Sequence, residues 1–178
     1  MREPSDEDLM SAVAAGDAAA FRVLCGRYAL RAVGFARRFV GDGAEAEDIA
    51  QEALLRVWRA APRWRPDAAF GTWFYRITIN LCLNHRRRAP FLDLEAAAAH
   101  ADPAPDALAR IERQEEDRAL LAAVAALPER QRVAILLTYW EGFSNAHAAE
   151  ILGTSVSGVE TLLVRARRSL RRTLAPQD

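Results

Sequence analysis

The sequence contains no lysine: all 24 basic residues are arginine, balanced by 24 acidic ones, so the formal charge of the 178-residue chain is zero. Arginine stays charged at any working pH and forks onto phosphates and carboxylates. Genomic composition bias produces the same usage, so the absence of lysine alone assigns no function. Cysteine is nearly absent too. Cys25 and Cys82 lie in helical apolar patterns and are too few for a disulfide framework, which makes a reducing cell interior the expectation. The longest apolar runs, Ala119 to Leu127 and Val133 to Leu137, fall well short of the roughly 20 residues a membrane span needs. The first twenty residues are acidic and lack an Arg-flanked apolar core. A cytoplasmic location without membrane insertion is expected.

The usual signs of catalysis are missing as well. There is no phosphate-binding glycine loop, and Cys82 and His85 have no second Cys/His pair with which to hold zinc. Gly142-Phe143-Ser144-Asn145-Ala146 has the outline of a nucleophile elbow. That turn follows a strand, however, and here a helix precedes it, so Ser144 reads as a helix N-cap. His100 and His147 stand alone. No catalytic residue, metal or cofactor is expected.

What is present is helical periodicity. Phe21, Leu24, Cys25, Tyr28, Ala32, Phe35 and Phe39 follow i, i+3, i+4, i+7 spacing, and no stretch alternates with period two. The chain is read as all-α. Ser5 and Asp8 form a capping-box pattern for a first short helix, and Gly16-Asp17 ends it and opens a long second one. After a break at Gly41-Asp42-Gly43, a third helix is predicted from about Ala44 to Ala60, then an Arg/Pro loop over Pro62–Pro66 and a fourth helix from about Phe70 to Arg88. Residues 89–106, with Pro90, Pro103 and Pro105, lack periodicity and read as a flexible linker. Two small helical domains are therefore expected, 1–88 and 107–178. The second should hold helices at about Ala107–Ala126, from Pro128 to Trp140, after Ser144, and from Ser155 onward.

Charge is segregated along this frame. Residues 1–85 hold eleven Arg and eleven acids and Arg86-Arg87-Arg88 follows; 89–129 carry nine acids and three Arg, whereas 162–174 carry five Arg and no acid. Separate surfaces with separate partners are implied. Asn145 to Arg165 fits a helix-turn-helix, with Ala149 where the helices touch, Gly153 in the turn, and Val156, Val159, Leu163 and Ala166 facing the bundle. Ser157, Glu160, Thr161, Arg165 and Arg168 then face outward, where hydroxyls, a carboxylate and guanidinium groups can meet bases and phosphates. On the fourth helix Phe70, Phe74, Ile77 and Leu81 form one face, and Arg76, Asn80, Asn84, Arg87 and Arg88 the other. Amides and arginines beside Trp64, Trp73 and Tyr75 are what single-stranded nucleic acid asks for, although those rings could equally be core. On the third helix Asp48, Gln51, Glu52 and Leu55 make an acidic stripe with a leucine in it, either a docking site for an Arg-rich partner or a solvated face.

Two stretches together resemble a known family. Asp48-Ile49-Ala50-Gln51-Glu52 through Trp58, then Phe70-Gly71-Thr72-Trp73-Phe74-Tyr75-Arg76-Ile77 to Asn80, is similar to region 2 of extracytoplasmic-function (ECF) sigma factors. Leu127-Pro128-Glu129-Arg130-Gln131-Arg132 through Gly142, and Leu152-Gly153-Thr154-Ser155-Val156 to Arg165-Ala166-Arg167, is similar to their region 4. The resemblance implies a sigma factor that directs core RNA polymerase to promoter DNA under control of an anti-sigma factor. It implies that Asp48, Gln51, Glu52 and Leu55 grip the polymerase clamp helices. Arg63, Trp64, Arg65, Trp73, Arg76, Asn80, Asn84, Arg87 and Arg88 would serve the melted -10 element. Ser155, Ser157, Glu160, Thr161, Arg165 and Arg168 would read the -35 duplex, and region 4 would also touch the polymerase flap. The chain departs from the pattern at Ser144-Asn145-Ala146-His147-Ala148, where acidic residues are frequent, and at Glu160, where a basic one is. Two other readings are a sigma-like decoy that titrates an anti-sigma factor and a polymerase-independent helix-turn-helix regulator. The first should have lost the amide and Arg contacts; the second leaves residues 1–88 without a role.

Overall fold

The computed structural model describes residues 3–67, 69–88 and 117–175, and among them every regular element is a helix. The expected linker at 89–106 and the start of the helix predicted from Ala107 lie outside the described residues. Helix α1 (Asp6–Ala14) opens on the capping box read from sequence: the Asp8 amide donates to Ser5 Oγ at 3.1 Å, and the Ser5 amide donates to Asp8 Oδ2 at 3.2 Å. Helix α2 (Ala18–Val40) starts at Asp17, whose carboxylate accepts from the amides of Ala19 and Ala20 at 2.7 and 3.1 Å. It ends at Gly41, which takes the left-handed conformation a side chain would disfavour. Helix α3 (Gly43–Ala60) is capped by Asp42, and a 3-10 turn, Ala61–Arg63, leads away from it. Helix α4 spans Phe70–Arg88.

These four helices share one core. The buried stripe of α2, including Leu24, Tyr28, Phe35 and Phe39, meets Ile49, Ala53 and Val57 of α3 and Phe70, Phe74 and Ile79 of α4. Alanine at Ala32, Ala36, Ala46, Ala50 and Ala53 keeps the helices close where an aromatic would hold them apart. Polar contacts set the helix ends. Glu7 of α1 accepts from the Phe70 amide at 3.0 Å and so caps α4 from a distance in sequence. Asp6 takes the Tyr28 hydroxyl and, at 2.6 Å, Arg27.

The second group begins with helical residues 117–125, here α5. Helix α6 (Glu129–Ile135) follows Pro128, which sits at the N-cap rather than inside the first turn as expected. Its C-terminal end widens into a π-helical turn, Leu136–Trp140, so the region predicted as one helix to Trp140 changes its winding in the last five residues. Helices α7 (Asn145–Leu152) and α8 (Val156–Leu174) complete the group.

The two groups pack against each other, and one buried arginine shows how. Arg132 is 1 % exposed and donates from its three guanidinium nitrogens to the carbonyls of Val124 (3.2 Å), Leu127 (3.1 Å) and Phe39 (2.8 Å). The first two lie at the end of α5 and in the turn after it, where the Val124 carbonyl also accepts from the Leu127 amide at 3.1 Å, and the third lies in the last turn of α2, where carbonyls run out of intrahelical partners. Burial pushes the Arg132 pKa down to about 10, with Arg86 adding to the effect, which still leaves it charged at neutral pH. Arg132→Ala is expected to cost about 3 kcal/mol of stability, because three buried carbonyls lose a charged donor and a void opens. Arg132→Lys should recover only part, since an ammonium cannot fork. Urea unfolding followed by helicity checks this; a shift in the Arg132→Ala midpoint too small to resolve would show that the carbonyls find other partners.

Candidate nucleic-acid interface

The outward face of α4 matches its spacing. Arg76, Asn80, Asn84 and Arg87 are exposed, Phe70 and Phe74 are buried, and Ile77 and Leu81 are half-buried. The side chain of Arg88 lies outside the described residues. At the N-terminal end of this face is a cleft lined by Arg63, Trp64, Arg65, Asp67, Trp73 and Arg76. Trp64 and Trp73 are half-buried with ring centres 6.4 Å apart, and Trp73 lies edge-on to Phe70 at 6.0 Å. Each indole is thus held by core packing while part of it stays open to the cleft. Indole surface beside guanidinium groups accepts an unstacked base and its phosphate.

Of the two readings the sequence leaves open for Tyr75, the structure selects core. It is fully buried, edge-on to Phe35, Phe74 and Phe143, and its hydroxyl donates to the Glu141 carboxylate. Burial and that hydrogen bond push the phenol pKa well up, so Tyr75 is a neutral donor in the interior and no platform for a base. The period places it with Ile79 and Cys82, both buried, and contact with α2 and with residues after α6 claims its ring.

On α3 the stripe is also on the surface. Asp48, Gln51 and Leu55 are exposed, the last at 46 %, while Glu52 is half-buried and accepts from Arg56 at 2.8 Å. That hydrogen bond holds the Glu52 carboxyl below its usual range. Trp58, one turn on from Leu55, is partly exposed and rests on Phe21 with ring centres 5.0 Å apart. Sequence reasoning does not group Trp58 with the stripe; its i, i+3 relation to Leu55 is the available signal. Acidic groups beside an apolar island suit a partner that brings arginine and aliphatic side chains together.

The helix-turn-helix is built as expected in its turn and caps. Ser144 Oγ accepts from the His147 amide at 3.2 Å; Gly153 is left-handed, and the Thr154 amide donates back to the Ala149 carbonyl at 3.0 Å. Ser155 caps α8 by accepting from the Gly158 amide at 3.1 Å. A Cβ on Gly158 would meet Thr154 Oγ1 at 2.6 Å, so this turn admits no side chain there without rearrangement. Val159, Leu163 and Ala166 are buried as predicted, but Val156 is 43 % exposed. The first turn of α8 projects past the packing surface and carries Val156 out with it. Ser155, Ser157, Glu160, Thr161, Arg165 and Arg168 are all exposed. Ser155 spends its oxygen on the cap, the Ser155 and Ser157 hydroxyls bond each other at 3.0 Å, and the Thr161 hydroxyl donates to the Ser157 carbonyl at 2.8 Å, leaving Glu160, Arg165 and Arg168 as the freer groups.

Sequence comparison gives these surfaces a context. A model of sigma-70 region 2 matches residues 24–90, and one of sigma-70 region 4 matches residues 117–170. The RNA polymerase sigma-H factor of Pseudomonas aeruginosa is 35 % identical over 99 % of this chain and 97 % of its own. The ECF RNA polymerase sigma-E factor of Escherichia coli is 31 % identical over 97 % of this chain and 95 % of its own, and the ECF factor SigM of Mycobacterium tuberculosis 35 % identical over 97 % and 86 %. Among solved structures, CnrH in complex with the cytosolic domain of CnrY aligns with a TM-score of 0.75 and 27 % identity, covering 96 % of this chain and 97 % of that one. The sigma factor RpoE of Bartonella quintana, solved with the anti-sigma factor NepR, shares the fold with a TM-score of 0.67 at 22 % identity, over 89 % and 98 % of the two chains. With both region models matched in order and full-length relatives above 30 % identity, the chain belongs to the ECF group of sigma-70 family RNA polymerase sigma factors.

Proposed function

We propose that this sigma factor acts as a promoter-specificity subunit whose three exposed faces divide the work. Residues 1–88 form the polymerase-docking and -10-reading domain, 89–106 the linker, and 107–178 the -35-reading domain. The α3 stripe of Asp48, Gln51, Glu52 and Leu55 docks on the polymerase clamp helices. The cleft of Arg63, Trp64, Arg65 and Trp73, continued by Arg76, Asn80, Asn84, Arg87 and Arg88, takes the displaced strand. The outer face of α8 reads duplex, and its domain also meets the polymerase flap. The chain works in the cytoplasm and performs no catalysis of its own. Two of its structural relatives were solved with CnrY and with the anti-sigma factor NepR, which supports an anti-sigma partner here. The single observation that supports this reading is that matches to regions 2 and 4 occur in one chain in which Arg63, Arg65, Arg76, Asn80, Asn84, Arg87 and the outer residues of α8 are exposed and Trp64 and Trp73 are half-buried at the cleft.

Energetics assign the melting to the assembly. Opening roughly ten base pairs forfeits about 1.4 kcal/mol per stacking step, on the order of 14 kcal/mol, while each base stacked on an indole returns about 1–3 kcal/mol. Trp64 and Trp73 cannot supply the difference. Zero net charge agrees, since a chain without a uniformly basic surface does not coat DNA by itself.

Transcription from a promoter pool by purified core polymerase, with and without this chain, tests the whole reading; no gain on any template would refute it. In the same system Asp48→Arg with Glu52→Arg should abolish polymerase binding in a pull-down with helicity unchanged, and undiminished capture would defeat the docking assignment. Asn80→Ala with Asn84→Ala should lower open-complex formation about tenfold or more while polymerase association holds; an equal fall in both would mean damaged packing instead. Without polymerase, permanganate should detect no strand separation.

A further inference from the structure

The outward face of α8 carries one side chain that sequence reasoning leaves without a role. Val164 is 49 % exposed and stands among polar neighbours, with Glu160 one turn before it, Arg168 one turn after it and Thr161 three residues back. The fold makes no use of it. Core contact along this stretch comes from Val159, Leu163 and Ala166, with Leu162 and Leu170 packed against them. A single exposed valine is ordinary on a protein surface; its place directly beside Glu160 is what gives it meaning here.

Glu160 is the one acid of α8, against five arginines in the same helix. No arginine stands three or four residues from it, so the helix offers it no partner. Among the described residues it forms neither an ion pair nor a side-chain hydrogen bond. A carboxylate carried into a DNA groove sheds water and faces like charge from the phosphates, a loss that only a base offering a hydrogen-bond donor can offset. In the major groove cytosine offers its N4 amino group with no acceptor beside it. Adenine sets its amino group next to the N7 acceptor, guanine shows N7 and O6, and thymine shows O4. Glu160 thus suits cytosine and disfavours the other three bases. Val164 has no polar atom to pair, and the apolar group within reach in that groove is the thymine C5-methyl. Four residues of helix separate the two side chains by about 6 Å along its axis. Base pairs stack about 3.4 Å apart, so the two side chains meet base pairs one or two steps apart.

We propose that Glu160 and Val164 set the base preference of α8, Glu160 for a cytosine and Val164 for a thymine one or two steps away, while the arginines of the helix supply attraction to phosphate. This rests on the proposed reading of the -35 duplex by α8. It adds which bases are read and by which side chains.

Transcription by holoenzyme reconstituted from core polymerase and the full chain, on templates randomised across the -35 element, tests the proposal by sequencing the templates used. The wild type should favour cytosine about tenfold at one position and select thymine one or two positions away. Glu160→Gln should move the cytosine preference to adenine, because an amide pairs with N6 and N7 together. Val164→Ala should flatten the thymine preference and keep the cytosine one. Uracil in place of that thymine removes only the methyl group; it should lower template use by the wild type about threefold and leave Val164→Ala indifferent. A selected -35 sequence that neither variant alters would overturn the assignment while leaving α8 as the reader of duplex. Initiation with no -35 preference at all would overturn both. Initiation no better than that of bare core polymerase would refute the promoter-specificity reading itself, and this assignment with it.

Discussion

Helix ends leave carbonyls without partners, and this small all-helical protein has many of them to satisfy with little core to spare. Arg132 answers the problem at the most buried point by placing one guanidinium where the ends of α5 and α2 converge. Arg132 is shut off from bulk solvent, so each N–H to carbonyl bond is worth more than at the surface and its loss costs correspondingly more. The Phe39 ring, 5.0 Å from the guanidinium carbon, closes the remaining side. Glu7 on the Phe70 amide is the same solution at a helix start. Because these caps come from distant segments, helix boundaries and tertiary packing form together.

The same economy separates scaffold from surface. Aromatic residues of α2 and α4 interlock, Tyr28 edge-on with Phe70 and tilted against Phe74 and Phe35 edge-on with Tyr75, and this fixes the rotation of α4 about its axis. Once that rotation is set, Arg76, Asn80, Asn84 and Arg87 point away from the core without further instruction. The indoles of Trp64 and Trp73 are half-buried and line the cleft, a preorganisation that would lower the entropy lost in the base stacking proposed for them. On α8, burial of Val159, Leu163 and Ala166 similarly turns Ser157, Glu160, Arg165 and Arg168 outward.

Neutral net charge becomes intelligible in this light. Acidic α3 and arginine-rich α8 carry opposite charge, which suits the different partners proposed for them, and the cancelling sum gives no uniformly basic surface. Some of the arginines are spent internally. Arg31, Arg76 and Arg132 all bridge the two helix groups, to a carboxylate or to backbone carbonyls, so the charge available to nucleic acid depends on how the groups are arranged.

Sequence by itself determined the helical class, the breaks at Gly16-Asp17, Gly41 and Gly153, the caps at Ser5, Ser144 and Ser155, and the outward faces of α3, α4 and α8. These arise from local periodicity and from backbone groups satisfied within a few residues. Only the tertiary structure decided that Tyr75 is interior, that Val156 is exposed, that α6 ends in a π-helical turn, and that Glu141 and Arg132 join the two groups. The joining contacts link residues far apart in the chain, 66 positions between Tyr75 and Glu141 and 93 between Phe39 and Arg132. Helical spacing assigns a side chain to a face, but what packs against that face is a property of the folded whole.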